Sequence, residues 1–213
     1  MSEEVSIQGD ITRELAEQWA TSIDDVAAEI LANLDQQHFF PLLDLSGLNE
    51  LSDAAAELLS KHEGDLDLSG LTEVSDAAAE SLSKHEGELY LGLRELSDAA
   101  AESLSKHKGY LNLEFLDALS DAAAESLSKH EGELHLGLRK LSDAAAESLS
   151  KHKGYLHLEF LDELSDAAAE SLSKHQEGLS LNDRIELSAA GGESLSKYRG
   201  VLAYVVGIPP VFP

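Results

Sequence analysis

The sequence predicts an α/β solenoid, in which short units of one strand and one helix are stacked along the chain. A phrase of the form SDAAAExLSKH occurs six times, and its final histidines are separated alternately by 23 and 22 residues. Self-similarity at this period is typical of stacked units that each need neighbours to cover their apolar side. The full repeat is therefore a pair of turns of about 45 residues, as in Leu96–Lys140.

Composition limits the classes of partner. The 213 residues carry 41 acidic against 15 basic side chains, a formal net charge of −26. Such a surface repels phosphate backbones and anionic lipid headgroups, so nucleic-acid and membrane roles are disfavoured. The chain has no cysteine, and it shows neither a secretory leader nor an apolar run of the ~18–20 residues that span a membrane. We therefore expect a cytoplasmic protein without a metal–thiolate site.

The first 38 residues precede the repeats and are expected to form an N-terminal helical cap. Apolar residues recur at helical spacing in Ile11–Ala20 and in Ser22–Leu34. The last turns of a solenoid have no neighbour to cover them, which is why such ends usually differ from the repeats.

One turn, residues 74–96, shows how each unit is built. Ser75 is placed as a helix N-cap, and Asp76 follows at the positive end of the helix dipole. Three alanines then favour a helix, predicted to have three turns, and Gly87 is placed to end it as a left-handed C-cap. Glu88–Leu91 follows with leucines at alternate positions, which predicts a strand.

An LxL strand and a helix within 22–23 residues resemble a leucine-rich repeat of the short bacterial kind, over about seven turns in residues 39–198. The resemblance implies a right-handed solenoid with a parallel sheet on its concave side and helices on its convex side. In that family an asparagine usually follows the strand and bonds neighbouring turns as a ladder. The corresponding stretches here have no asparagine: Ser69–Leu71, Gly92–Leu93 and Glu114–Leu116.

The last helix phrase and the C-terminal part that follows it, residues 199–213, both depart from the repeat. Ala189 replaces the first-turn aspartate, and Gly191 and Gly192 lie inside the preceding helical phrase. Val201–Val206 reads as an apolar strand, and the proline-rich end after it stops further pairing. This edge strand is either a self-cap or a contact between two copies.

Two polar columns recur once per turn. One column consists of the histidine that ends each helix phrase, and Phe39 and Tyr198 take its place in the end turns. This column is therefore interpreted as an aromatic-sized edge of the core rather than a metal site. If these rings are buried and neutral, acid should destabilise the stack. The aspartates are interpreted as helix N-terminal charges. The histidines are His62, His85, His107, His130, His152 and His175, and the aspartates are Asp53, Asp76, Asp98, Asp121, Asp143 and Asp166.

The outward positions of the strands vary between repeats, whereas the helix phrases scarcely change. Between the two 45-residue units, Tyr90 becomes His135 and Asn112 becomes His157, both at the central strand position. Neutral drift after duplication would give the same variation, so both interpretations stay open. If the face is functional, its candidate residues are Glu88, Tyr90, Tyr110, Asn112, Glu114, Glu133, His135, Tyr155, His157 and Glu159.

These residue types favour binding over catalysis. Tyrosines are enriched in interfaces, and carboxylates around them select a basic partner. The chain has no phosphate-binding glycine loop, nucleophile elbow or zinc-protease pattern. We therefore expect a non-enzymatic scaffold without cofactor that binds a protein or peptide through the concave strand face, and the acidic surface favours a basic partner.

Two alternatives remain from the sequence. One is a structural module that self-assembles through the C-terminal edge strand, so that the protein is either a monomer or an edge-strand homodimer. The other, less favoured, is a metal-binding protein. His135 and His157 occupy equivalent places on adjacent strands, about 5 Å apart, and could bind zinc with Glu133 or Glu159.

Overall fold

A computed structural model describes residues 22–23 and 42–205 of the chain, in which short strands alternate with short helices. The strands are β1 (Ser22–Ile23), β2 (Leu42–Asp44), β3 (Glu50–Leu51), β4 (Asp65–Leu68), β5 (Leu89–Leu91), β6 (Leu111–Leu113), β7 (Leu134–Leu136), β8 (Leu156–Leu158), β9 (Leu179–Asn182) and β10 (Leu202–Val205). The helices are α1 (Asp53–Leu59), α2 (Asp76–Leu82), α3 (Asp98–Leu104), α4 (Asp121–Leu127), α5 (Asp143–Leu149), α6 (Asp166–Leu172) and α7 (Ala189–Leu195).

Eight of the strands form one parallel sheet in the order β10-β9-β8-β7-β6-β5-β4-β2. Each strand pairs with the strand of the next turn, and the register sets leucine beside leucine, as in Leu66 beside Leu89 and Leu134 beside Leu156. The predicted α/β stack of strand–helix units is thereby confirmed. Its right-handedness and the concave curvature of the sheet stay predictions.

The core lies between the sheet and the helices and is built from leucine and alanine. In one turn, Ala78, Ala79 and Leu82 of α2 pack with Leu89 and Leu91 of β5, all of them at most 1% exposed. Alanine at the inward helix positions lets consecutive helices pack closely behind strands that are only about 4.8 Å apart. Truncating one of the buried leucines to alanine should cost about 2–5 kcal/mol, as in other well-packed cores.

The helices begin as predicted but end differently. The Ser75 hydroxyl accepts a hydrogen bond from the Ala78 N–H, which confirms the N-cap. The helix has seven residues, about two turns instead of three, and its C-cap is Ser83 in the right-handed helical region. The predicted left-handed C-cap at Gly87 is wrong, because the chain leaves the helix earlier, through a tight turn closed by the His85 N–H on the Leu82 carbonyl.

Gly87 has a different physical role. A Cβ at this position would overlap the carbonyl oxygen of Gly64 in the preceding turn, and a Cβ at Gly109 would crowd the carbonyl of Gly87. Consecutive turns therefore approach each other through backbone alone at this corner. The glycines are required by this close approach and not by helix termination.

A ladder of side-chain hydrogen bonds joins the helix N-termini, which we call the Asp–Ser ladder. The N-cap serine of each turn donates its hydroxyl to the first-turn aspartate of the turn before, while the same serine caps its own helix. The sequence interpretation captured only the interaction of the aspartates with the helix dipole. The pairs, serine first, are Ser75–Asp53, Ser97–Asp76, Ser120–Asp98, Ser142–Asp121, Ser165–Asp143 and Ser188–Asp166.

The six repeat histidines form a second ladder, the histidine column, at the edge of the core. Each is only 1–3% exposed, and neighbouring rings stack nearly parallel with centroids 6.0–6.3 Å apart. Tyr198 continues the stack at 6.5 Å, and Phe39 lies outside the described residues. The predicted position at the core edge is confirmed.

Burial controls the protonation of this column. It lowers the pKa of His107 and of His152 to about 4, and the neighbouring histidines add to the effect. Burial likewise lowers the pKa of His85 and His130, although nearby backbone groups oppose the shift. The central rings of the column are therefore neutral at pH 7.

The ends of the chain agree only in part with the prediction. Ser22–Ile23, predicted as the start of a helix, is strand β1 and pairs in parallel with β3. Pairing with another segment overrides the helical periodicity here, and the β-branched Ile23 suits a strand. The remainder of the predicted cap and residues 206–213 lie outside the described residues. Strand β10 lies within the predicted Val201–Val206 and pairs with β9. In residues 22–23 and 42–205, no helix has the length and apolarity needed to cross a bilayer.

Candidate functional site

The strand face is the side of the eight-stranded sheet that points away from the core. In each LxL segment both leucines are buried against the helices, so the residue between them points to the opposite side, as in Tyr90 of β5 and His135 of β7. The register then brings these central residues side by side, with Tyr90 next to Asn112 and His135 next to His157. The ten candidate residues thus lie on or beside four consecutive strands, β5 to β8.

Aromatic rings form a continuous group on this face. The centroids of Tyr90 and Tyr110 are 5.5 Å apart at an interplanar angle of 66°, an edge-to-face contact. The rings of Tyr155 and His157 stack at 4.5 Å, and His135 and His157 are 5.3 Å apart. Such pairs add about 0.5–1.5 kcal/mol beyond burial, so the rings hold each other in place before any partner binds.

Two tyrosines have the same orientation in successive repeats. The Tyr110 hydroxyl lies 3.1 Å from Nδ1 of His135, and the Tyr155 hydroxyl lies 3.1 Å from Oγ of Ser180. In both cases the partner is the central residue of the next strand, 25 positions later in the chain. Each tyrosine therefore leans across one strand in the same direction and is fixed there by its hydroxyl.

A carboxylate–histidine network fills the centre of the strand face. Glu159 is the most enclosed member, with a side chain 9% exposed. Its oxygens lie 2.9 Å from Nδ1 of His157 and 3.4 Å from Nε2 of His135. Glu133, which is 58% exposed, lies 3.6 Å from Nε2 of the same His157. His157 is therefore held between two carboxylates.

The two histidines titrate in opposite directions. Burial lowers the pKa of His135, and Glu159 opposes this shift only in part. Burial acts in the same direction on His157, but Glu159 and Glu133 outweigh it and raise the pKa of His157. Burial also tends to raise the pKa of Glu159, yet the contact with His157 lowers it overall. His157 is therefore protonated more readily than His135, and Glu159 is a carboxylate that stabilises its charge.

Carboxylates accumulate elsewhere on the face as well. Burial raises the pKa of Glu114, and the nearby carboxylates of Asp67 and Glu159 raise it further. Glu88 accepts a hydrogen bond of 2.5 Å from the Tyr90 hydroxyl, and this bond raises the pKa of Tyr90. A cation near these groups would relieve their mutual repulsion.

Tyr110, His135 and Glu159 have the connectivity of a nucleophile, a base and an orienting acid. Burial, however, raises the pKa of Tyr110 to about 12. Activation of a hydroxyl nucleophile requires the opposite environment, in which an adjacent base or a lowered pKa favours the anion. The hydroxyl therefore serves to fix the ring and stays protonated.

The metal alternative at His135 and His157 has limited geometric support. The structure brings the two rings together beside Glu133 and Glu159, the proposed co-ligands, but Nδ1 of His135 is bonded to the Tyr110 hydroxyl and Nδ1 of His157 to Glu159. Among the described residues, no group of three or more histidine, aspartate or glutamate side chains is arranged to hold a metal ion.

A shallow depression lies on the strand face between the two repeats. It is bordered by Glu88 and Tyr90 on one side and by Glu133 and His157 on the other, and Tyr110 lies at its centre. Gly109, Gly132 and Lys108 complete the lining. Sequence reasoning missed Lys108, although its alternation with Glu86 and Glu131 in successive turns was a readable signal.

Some predicted residues support the surface instead of forming it. Asn112 is only 8% exposed. Its amide donates to the Tyr110 hydroxyl, and its side-chain oxygen accepts from the Glu114 N–H. The prediction also omitted Phe160, whose ring stacks on His135 at 5.9 Å. Both residues hold the exposed rings in place.

No protein-family model matches the chain, and comparison with curated proteins gave no match. The class of protein therefore follows from the architecture. Strand–helix units of 22–23 residues, stacked through one parallel sheet, are those of a solenoid repeat protein.

Proposed function

We propose that this protein is a non-enzymatic scaffold that binds a protein or peptide through the strand face. The observation that carries the proposal is the contrast between the two sides of the sheet. The helix side repeats almost without change, whereas the strand side bears a connected group of tyrosines, histidines and carboxylates. A purely structural stack has no need of such a group.

The energetics of the surface favour binding. Tyr90, Tyr110 and Tyr155 are half-buried by their neighbours, so they lose little conformational freedom when a partner covers them. Rigid aromatic side chains supply contact area at low entropic cost, which is the property that enriches them in hot spots. The surrounding carboxylates would select a basic partner and increase its association rate.

We infer that the chain is a leucine-rich-repeat protein of unusual construction. The LxL strands and the 22–23-residue period support this assignment. In place of asparagines after the strand, the Asp–Ser ladder joins consecutive turns at the start of each helix. The connection between turns would thus have moved to the helix N-termini.

The test is capture of a partner with a matched pair of variants. The intact chain and Tyr110→Ala/Tyr155→Ala are compared as baits, with Lys106→Ala/Lys151→Ala as the control. The control residues are also 45 positions apart but lie exposed on the helix side. A protein retained by the intact chain and the control, and lost by the tyrosine variant, supports the proposal once purified components reproduce the binding. Equal retention by all three baits contradicts it, provided circular dichroism shows that the tyrosine variant is folded.

A second candidate function is self-assembly through the C-terminal edge. Strand β10 is the last strand of the sheet order, and the neighbouring Val201 is 70% exposed, the most exposed large apolar residue in the described part of the chain. A terminal strand of a sheet can pair with another chain through its outer edge. Light scattering after size exclusion should then show a dimer that Val201→Lys weakens. A monomer over a wide concentration range would dismiss this candidate and leave the first one intact.

A further inference from the structure

The strand face repeats its chemistry every two strands. Along the first strand position, glutamate alternates with tyrosine from one turn to the next. Along the third position, glycine alternates with glutamate. The first row is Glu88, Tyr110, Glu133 and Tyr155, and the second is Gly92, Glu114, Gly137 and Glu159.

The repetition extends to geometry as well as sequence. Tyr110 and Tyr155 lean in the same direction and reach the central residue of the following strand through equal distances of 3.1 Å. Neighbouring strands of a sheet are 4.7–4.9 Å apart, so equivalent groups recur about every 9.5 Å along the stack. The face therefore acts as a lattice of that spacing, running across the strands.

Negative charge is in excess on this lattice: Lys108 lines the depression beside Glu88 and Glu133, but among the described residues no ion pair joins a lysine or arginine to the glutamates of the two rows. In the described part of the chain, the ion pairs of Glu133 and Glu159 are with histidines. The lysines and arginines form their pairs on the helices, as in Lys129–Glu125, or at the corners, as in Arg139–Asp162. A ligand that places cations at the lattice spacing would complete the surface.

Few peptide conformations match a step of about 9.5 Å. Side chains on one face of an extended strand recur about every 6.7 Å, and two turns of an α-helix advance about 10.8 Å. A polyproline II helix has three residues per turn and a rise of about 3.1 Å, so every third side chain recurs after about 9.3 Å. Of these three conformations, the polyproline II helix has the step closest to the spacing of Glu88 and Glu133 and of Tyr110 and Tyr155.

We propose that the strand face binds a polyproline II segment that carries lysine or arginine at every third position and runs across the strands. The inference rests on the proposed function and specifies its partner. Basic side chains reach the carboxylates of Glu88 and Glu133, and the prolines between them pack on the ring of Tyr110 in the depression. Aromatic-lined grooves suit such segments because a polyproline II helix loses little entropy when it docks.

The test uses three synthetic peptides with the same number of arginines. One repeats Pro-Pro-Arg, and its isomer carries the same arginines at alternate positions followed by the remaining prolines. A third peptide keeps every third residue arginine but replaces proline with glycine and serine. Fluorescence anisotropy at low salt should show the Pro-Pro-Arg peptide binding about tenfold more tightly than either of the others, because spacing and preorganisation both contribute.

Protein variants then locate the binding site. Glu88→Gln/Glu133→Gln and Tyr110→Ala/Tyr155→Ala should each weaken the Pro-Pro-Arg peptide several-fold. Glu125→Gln/Glu170→Gln is the matched control, since these exposed glutamates are also 45 residues apart but lie on the helix side, and it should leave the affinity unchanged.

Two results would overturn the inference. Equal affinity for the three peptides would mean that charge alone is recognised, and the proposed binding function would stand without the spacing rule. No binding of any of the peptides would exclude a basic polyproline II partner. The capture experiment with Tyr110→Ala/Tyr155→Ala would still decide, independently, whether the face binds another protein.

Discussion

The histidine column is the residue-scale feature with the clearest physical consequence. An unfolded histidine has a pKa near 6.5, whereas burial lowers the pKa of His107 and His152 to about 4 in the folded chain. Acid therefore protonates the unfolded state first. The stabilisation from keeping these rings neutral is complete above pH 6.5 and is lost progressively as the pH falls towards 4.

We expect the melting temperature to fall as the pH is lowered from 7 to 5. His107→Phe/His152→Phe should reduce this dependence, since phenylalanine fills a similar space without a proton. His157, with a raised pKa, contributes in the opposite direction, but it is one group against the five histidines whose pKa is lowered, four in the column and His135 on the strand face. Melting curves recorded by circular dichroism at several pH values check the expectation. If the melting temperature of the variant falls with pH as much as that of the intact chain, the expectation is wrong.

The corner glycines give a second residue-scale prediction. Gly87→Ala should destabilise the fold by several kcal/mol, because the new Cβ would overlap the carbonyl oxygen of Gly64. The matched control is Gly192→Ala inside α7, where a Cβ meets nothing within 4 Å. That change should stabilise the protein by about 0.5–1 kcal/mol. Urea denaturation measures both, and a tolerated Gly87→Ala would contradict the close approach of the turns.

At the scale of single elements, the sequence allowed the strands and the helix starts to be predicted because their signals are local. Serine before aspartate and three alanines specify a helix start, and alternating leucines specify a strand. The helix end could not be predicted in this way. Gly87 reads as the stop signal, but the chain leaves the helix at Ser83. Gly87 is required instead by its close approach to Gly64 of the preceding turn, a contact between turns that the local sequence does not show.

The candidate site divides along the same line. The alternation of leucines alone shows which strand residues point away from the core, so the strand-face candidates could be placed from sequence. The sequence could not predict that Tyr110 leans onto His135 or that Glu159 is enclosed, because both features depend on side chains one strand away. Asn112 was accordingly expected on the surface, whereas it is only 8% exposed and its amide bonds the Tyr110 hydroxyl.

The Asp–Ser ladder gives the prediction for elements. Ser120→Ala removes the cap of α4, which bonds the Ala123 N–H, and also the donor to Asp98. The expected loss is about 1–2 kcal/mol. Ser120→Thr keeps a hydroxyl at the same position and should retain most of the stability. Comparable losses for alanine and threonine in urea denaturation would show that the hydroxyl is not the stabilising group.

For the whole molecule, charge is the dominant long-range term. A net charge of −26 on 213 residues destabilises the compact state through self-repulsion. Salt at about 0.5 M shortens the screening length to a few ångströms, so the melting temperature should rise when sodium chloride is added. A fall would mean that the helix-surface pairs such as Lys151–Glu147 outweigh the repulsion.

The two-strand period of the strand face also has a consequence for how such a protein changes over generations. Strand pairing and helix packing join each turn to the turns beside it, so a genetic duplication or loss of one 45-residue pair preserves the alternation of glutamate and tyrosine. A change of a single turn would place glutamate beside glutamate where glutamate and tyrosine now alternate. The protein can thus be lengthened or shortened in whole pairs of turns, each of which changes the strand face by about 9.5 Å. The length of the partner that it fits would change by the same amount.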